Sequence, residues 1–284
     1  MRTSLVVVLV MVVVGVGAAP AVAGVDADVT KAFTGFVTRV AAGKPLPPGL
    51  EVFITPFDDE GVPADLAPLA AMLPAPKVKV LQVMASKSGR SAWIAAEVTA
   101  QVTVAGKKPR ADAIRSSAFL AFDGAAWTVR AVHWSIAVKN VKPEMCGDLG
   151  LGWQTPDVSA ALAPAVKTVL EVLDQDSPPA FAALLSDDKR SLVFGSAPRE
   201  TFAGGARIKG VFKKWSVSLP NWDRDDPALP ATAGLGPDGE LGWMATRVAY
   251  FRLCTSYRTL FVLAKEKGAW KIVHQHYSEP TDLD

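Results

Sequence analysis

The sequence predicts an α+β protein made of two domains of one kind in tandem, and three internal echoes carry that prediction. Trp270 followed six residues later by His276-Tyr277-Ser278 repeats Trp127 followed six residues later by His133-Trp134-Ser135, each just after a glycine turn. Val158, Leu162, Val166 and Val169 repeat the spacing of Val29, Phe33, Val37 and Val40, which is the one-face period of an amphipathic helix. Trp243-Met244-Ala245-Thr246-Arg247-Val248 repeats Trp93-Ile94-Ala95-Ala96-Glu97-Val98. A chain of 284 residues is long enough for two such domains, each with its own core.

Residues 1–23 read as a signal peptide. Arg2 supplies the positive end, Leu5 to Val16 the apolar run, and Ala21-Val22-Ala23 the small residues of a cleavage site. The alternative is an uncleaved anchor, because the apolar character continues to Val25 and nears the ~20 residues that span a bilayer. Pro20 and the small residues around it favour cleavage, so the protein is expected to be exported, to a periplasm or beyond the cell. No later run is apolar for long enough to leave a membrane span in the mature chain. In an oxidising compartment the pair Cys146 and Cys254 fits a disulfide tying a linker to a strand of the second domain; the alternative is two unpaired thiols. The charges, 30 Lys+Arg against 28 Asp+Glu with no dense basic run, argue against a nucleic-acid partner.

In chain order, Asp26 to Ala42 is predicted as an amphipathic helix broken by Gly43, Pro45, Pro47 and Pro48, and Ala64 to Leu73 as a second helix stopped by Pro74. The period then changes to two. Ile94, Ala96, Val98, Ala100, Val102 and Val104 alternate with Glu97, Thr99, Gln101 and Thr103, a half-buried strand. Turns at Ser86 to Arg90, Gly106 to Arg110 and Asp123-Gly124 make the surrounding strands mostly antiparallel. The glycines of Met145 to Thr155 mark a linker rather than a phosphate loop, since no strand-to-helix context or lysine accompanies them. Thr155-Pro156-Asp157 then opens a helix, Ser177-Pro178 caps a short one, and Gly205 to Trp215 forms a third. Leu219 to Glu240 is read as a long Pro-, Asp- and Gly-rich connection of the kind that covers a site. Strands follow from Trp243 to Cys254, from Tyr257 to Ala264 and from Gly268 to Pro280.

Helices followed by a meander that ends in Ala269-Trp270-Lys271-Ile272-Val273-His274-Gln275-His276-Tyr277-Ser278-Glu279-Pro280 resemble a SnoaL-like domain of the nuclear transport factor 2-like superfamily, which includes ketosteroid isomerases and polyketide cyclases. Residues 156 to 280 carry the resemblance clearly and residues 26 to 139 more weakly. It implies two cone-shaped domains, at 24–143 and 156–284 with a linker at 144–155, each a curved antiparallel sheet wrapped around N-terminal helices with a pocket at the wide end. Members often pair through their sheets, so the resemblance also implies an intramolecular pair. The pocket aspartates that such enzymes use have no match here, and no catalytic set is assigned.

The candidate site is therefore a binding site. By strict alternation Trp270, Ile272, His274, His276 and Ser278 share one strand face, which places the imidazoles in the second cone beside Trp243 and Arg247. Trp222, in the long connection, completes the expected mouth, and Trp215 and Trp270 are further candidates for its lining. His276, echoed by His133, is read more as a fold-fixing hydrogen-bond residue than as an acid or base, because it recurs in both halves; His274, whose counterpart is Ala131, is the unshared one. His274-x-His276 has the spacing of a metal pair on a strand, but no cluster supplies further ligands, so neither metal nor cofactor is expected. Three functions stand at this point: a module binding a small apolar or amphipathic molecule through Trp222, Trp243, Arg247, His274 and His276; a scaffold with filled pockets; or an isomerase- or cyclase-like enzyme with a histidine base.

Overall fold

A computed structural model describes residues 22–57, 62–102, 110–137, 159–215, 217–218, 231–250 and 256–279. In the first half the elements are α1 (Val22–Ala41), β1 (Val52–Ile54), α2 (Ala67–Met72), β2 (Val78–Ala85), β3 (Ser91–Val102), β4 (Arg110–Phe122) and β5 (Trp127–Ile136). Their sheet runs β1-β5-β4-β3-β2. The predicted helical stripe does its work: Val25, Val29, Phe33, Phe36, Val37 and Val40 are all buried against the inner face of this sheet, with Ile94, Ala96, Val98, Val132 and Trp134.

The second half repeats the plan with α3 (Ala163–Asp174), α4 (Pro178–Leu184), β6 (Leu192–Phe194), β7 (Thr201–Ala203), α5 (Gly205–Phe212), β8 (Val217–Ser218), β9 (Ala231–Leu235), β10 (Leu241–Tyr250), β11 (Ser256–Glu266) and β12 (Ala269–Ser278). The order is β7-β6-β12-β11-β10-β8, with β9 also on β10. Leu162, Val166 and Val169 turn the stripe of α3 onto Met244, Phe261, Leu263 and Ile272. Ser177 caps α4 by accepting from the Ala180 amide.

Several boundaries differ from expectation. The helix predicted over 64–73 is a six-residue α2, and α5 stops at Phe212. Part of the presumed long connection is β9, which pairs antiparallel with β10; at Gly234 a Cβ would meet the Trp243 ring nitrogen at 2.4 Å, so only glycine fits there. The sequence does not predict the short strands β1, β6, β7 and β8, of which β1 and β6 bear on the site. Each of these two is a three-residue apolar segment too short to show a period, and each pairs in parallel with the last strand of its own half. The linker at 144–155, the helix opening at Thr155-Pro156-Asp157, Trp222 and both cysteines lie outside the described residues.

The two sheets meet back to back. Val52, Ile54, Met84, Trp93, Ala95 and Phe119 of the first half share one buried cluster with Leu192, Phe194, Trp243, Ala245, Leu260, Val262 and Val273 of the second. Both faces of each sheet are therefore covered, one by its own helices and one by the other sheet. The ladders are in equivalent register: Arg115 is opposite Ser135 and Ser117 opposite His133, as Arg258 is opposite Ser278 and Leu260 opposite His276. That correspondence matches residues 114–122 on β4 with 257–265 on β11, and 127–136 on β5 with 270–279 at the last strand.

A bulge in each last strand decides which side chains face where. On β12, Val262 is opposite His274 but Leu263 is opposite Ile272, leaving Val273 as an extra residue; on β5 the extra residue is Arg130. Before the bulge, Trp270 and Ile272 face the helices; after it the parity reverses, so Tyr277 faces them instead. His274, His276 and Ser278 consequently project toward the other sheet. The expectation that they share the face of Trp270 is corrected, because strict alternation does not survive an inserted residue.

Candidate functional site

Polar side chains at the meeting of the sheets form a closed network. His274 and His276 are 1% and 0% exposed, and both contact the first half. His274 Nδ1 lies 2.7 Å from the Leu192 carbonyl, which can only accept, so Nδ1 carries the proton and Nε2 is an acceptor. Ser117 donates to that Nε2 at 2.7 Å. A hydroxyl has one proton to give, so His276 Nδ1 donates to Ser117 at 2.9 Å, and His276 Nε2 accepts from Ser135 at 2.7 Å. Every imidazole nitrogen of the two is used, and none is left for a substrate. His133 Nε2 pairs with Ser278 at 2.7 Å, the mirror of Ser135 with His276, while its Nδ1 has no side-chain partner among the described residues: the residue equivalent to Ser117 is Leu260. Burial is the main cause holding all three imidazoles below their ordinary value, His274 at about 3, so they are neutral at pH 7.

Two arginines clamp this contact reciprocally. Arg115 crosses from β4 to donate to the backbone carbonyls of Gly195, Ala197 and Pro198, at 2.6, 2.9 and 2.7 Å. Its counterpart Arg258 crosses from β11 to the carbonyl of Phe57, and also donates to Glu279 O at 3.2 Å. At one edge Asp238, in the β9–β10 turn, accepts from Ser86, Ser88 and Ser91 of the first half. Burial opposes its charge, but the three hydroxyls outweigh this and hold the carboxyl below its usual range.

Of the predicted mouth, Trp243 and Arg247 are also buried, Trp243 in the inter-sheet cluster and Arg247 at 3% exposure. Trp93, the counterpart of Trp243, stacks on His274 with ring centroids 4.5 Å apart. Trp270 packs against the core of the second half. Among the described residues, no group of three or more His, Cys, Asp or Glu side chains is placed to hold a metal ion.

The second cone does contain a cavity, of about 60 Å³, and it is lined by other residues: Glu200, Phe202, Phe212, Trp215, Tyr257 and Tyr277, with Val193, Gly195 and Ser196. Register equivalence explains why it is there. In the first cone Phe36, Phe53 and Trp134 fill the corresponding space edge to face, with centroids 5.0 to 6.0 Å apart. Val193 stands where the first half has Phe53, and Tyr277 where it has Trp134. The polarity changes too. Ile114, Val132 and Ile136, all in the first core, correspond to Tyr257, Gln275 and Glu279. Tyr277 donates to Gln275, and Tyr257 bonds to Glu279. Burial pushes both the Tyr257 hydroxyl and the Glu279 carboxyl up, the carboxyl further so because Glu200 is near.

Residues 165–282 match the model of the SnoaL-like domain family. Solved structures similar to the chain include a calcium/calmodulin dependent protein kinase II association domain from Xanthomonas campestris, at 19% identity and a TM-score of 0.32 over 43% of this chain and 87% of that one. A ketosteroid isomerase from Parabacteroides distasonis matches at 14% identity and 0.32, over 42% and 88%. An NTF2-like protein of unknown function from Shewanella oneidensis matches at 12% identity and 0.30, over 42% and 97%. No curated protein matches the chain.

Of the residues lining the cavity in the second half, the sequence marks only Trp215 as a candidate. The cavity's signal was present in the repeat: once the last strands are aligned, apolar Ile136 against Glu279 and Trp134 against Tyr277 mark the positions where the domain departs from a filled core.

Proposed function

We propose that this protein is an exported, non-catalytic binding module, in which the first half is a filled buttress and the SnoaL-like half holds a small amphipathic molecule. The two halves act as a built-in pair. One observation carries the reading: core positions that are Phe53, Trp134, Ile114 and Ile136 in the first half are Val193, Tyr277, Tyr257 and Glu279 in the second, so that space and polar groups coincide in one cone only. A concave, mostly aromatic site with a few polar groups is the usual form of a small-molecule pocket. The histidines belong to the joint between the halves, not to this site, so the reading assigns them no proton transfer.

The competing reading is a scaffold with both cones filled, which the small volume of the cavity favours. Native mass spectrometry of the purified chain separates them. The expected result is an adduct of small mass that disappears in the double variant Val193→Phe, Tyr277→Trp, which rebuilds the first cone in the second. Absence of any adduct, together with identical thermal stability of the wild type before and after exhaustive dialysis, would leave the scaffold.

A further inference from the structure

The chemical class of ligand can be narrowed from the walls of the cavity, an inference that rests on the binding reading above. Phe202 and Trp215 meet at 80° with centroids 5.7 Å apart, and Phe212 and Trp215 at 75° and 6.5 Å. Phe212 and Tyr277 lie 6.3 Å apart. Rings in different planes thus border one small space, and each ring face carries negative electrostatic potential.

The charged group of the lining has the same sign. Glu200 borders the cavity, its Oε2 accepting from the Ala197 amide at 3.0 Å. Behind Tyr257, whose ring also borders it, Glu279 is 8% exposed and its Oε2 has no hydrogen-bond partner among the described residues. The nearby cations face elsewhere: Arg115 is spent on backbone carbonyls and lies over Phe194, Arg258 on the Phe57 and Glu279 carbonyls, and Arg207 over Phe202; none of them lines the cavity. An aromatic box with one carboxylate in its wall and another behind it attracts positive charge.

We propose that this cavity holds the headgroup of a small alkylammonium cation, with the rest of the molecule extending outward. The cavity is small, about 60 Å³, which suits a compact headgroup better than a large ring system.

The test is titration of the full chain, followed by tryptophan fluorescence and calorimetry, with choline and butylammonium against their neutral isosteres 3,3-dimethyl-1-butanol and 1-butanol. Saturable binding of at least one cation, ~tenfold or more tighter than its isostere, is expected from a cation–π and carboxylate site. Glu200→Gln, which keeps the acceptor for the Ala197 amide, should weaken the cation ~fivefold or more and leave the isostere unchanged, with melting temperature unaltered. Trp215→Phe should weaken the cation less than Trp215→Leu. Equal binding of cation and isostere overturns the ammonium inference while the binding reading stands. Binding of neither probe also overturns it, and the adduct seen or not seen by native mass spectrometry then decides the binding reading separately.

Discussion

His133 and His276 stack ring on ring across the contact of the two sheets, with centroids 3.8 Å apart and planes 13° from parallel. The two strands that carry them are the repeats that make the sequence legible as a tandem, so the residues that advertise the repeat also meet at its centre. Two charged imidazoles at that distance would repel, and burial penalises even one.

The first prediction concerns pH. Burial holds His133 and His276 well below the ordinary value and His274 at about 3, so the folded state takes up protons less readily than the unfolded chain. As pH falls below about 6.5, the unfolded chain gains protons that the folded one refuses, and stability declines through the window from about 6.5 toward 3. Each histidine contributes up to ~1.4 kcal/mol per pH unit within that window. Urea midpoints should therefore drop steeply between pH 7 and pH 5, and less steeply in the double variant His133→Leu, His276→Leu. A midpoint independent of pH over that range would contradict neutral histidines in the joint.

Ser117 tests the direction of the hydrogen-bond chain. Ser117→Ala leaves His274 Nε2 and His276 Nδ1 buried without their shared partner, at about 1 to 3 kcal/mol for each group left unsatisfied. Ser116→Ala is the control, because Ser116 Oγ is equally buried and makes no hydrogen bond among the described residues. Chemical denaturation should show Ser117→Ala losing ~2 to 4 kcal/mol and Ser116→Ala near neutral; similar values for the two would mean that the network adds nothing.

The arginine clamps give a third prediction. Arg115 meets three carbonyls in the turn that follows β6, a geometry that a fork of donors satisfies and a single ammonium does not. Arg115→Lys should then fail to restore what Arg115→Met removes. Amide exchange of Gly195 to Glu200 is expected to quicken in both variants, with a loss of ~2 to 4 kcal/mol. Full protection in the lysine variant would refute the requirement for a fork.

Much of the architecture was legible because helices with one apolar face and long alternating strands impose periods that composition cannot hide. Phe33, Val37 and Val40 on α1, and the strand around Ile94 to Val102, were read from those periods and pack accordingly. The site was harder. Val52–Ile54 and Leu192–Phe194 are too short to have a period, yet β6 supplies Val193 to the cavity and the Leu192 carbonyl to His274. Tyr257, Tyr277 and Glu279 carry no motif; they become visible only by comparison with Ile114, Trp134 and Ile136. The imidazoles were placed on the wrong face of β12 for one reason, the inserted residue Val273.

That residue provides the last prediction. Val273 belongs to the inter-sheet cluster, so Val273→Ala should cost only what a buried valine loses on truncation, about 1 to 3 kcal/mol, with the spectroscopic signature of the fold retained. Deleting Val273 makes Ile272 and His274 neighbours, so alternation alone keeps Ile272 toward the helices and His274, His276 and Ser278 toward the other sheet, and the deletion should also unfold cooperatively. An alanine inserted between His274 and Gln275 is a different change. It reverses the parity beyond that point, turning His276 and Ser278 toward the helices and Tyr277 toward the other sheet, so that the polar network and the cavity wall are both broken. The insertion is expected to leave no cooperative unfolding transition for the second half, whereas Val273→Ala keeps one. If the insertion melted cooperatively within a few degrees of Val273→Ala, the assignment of the two faces of β12 would have to be redrawn.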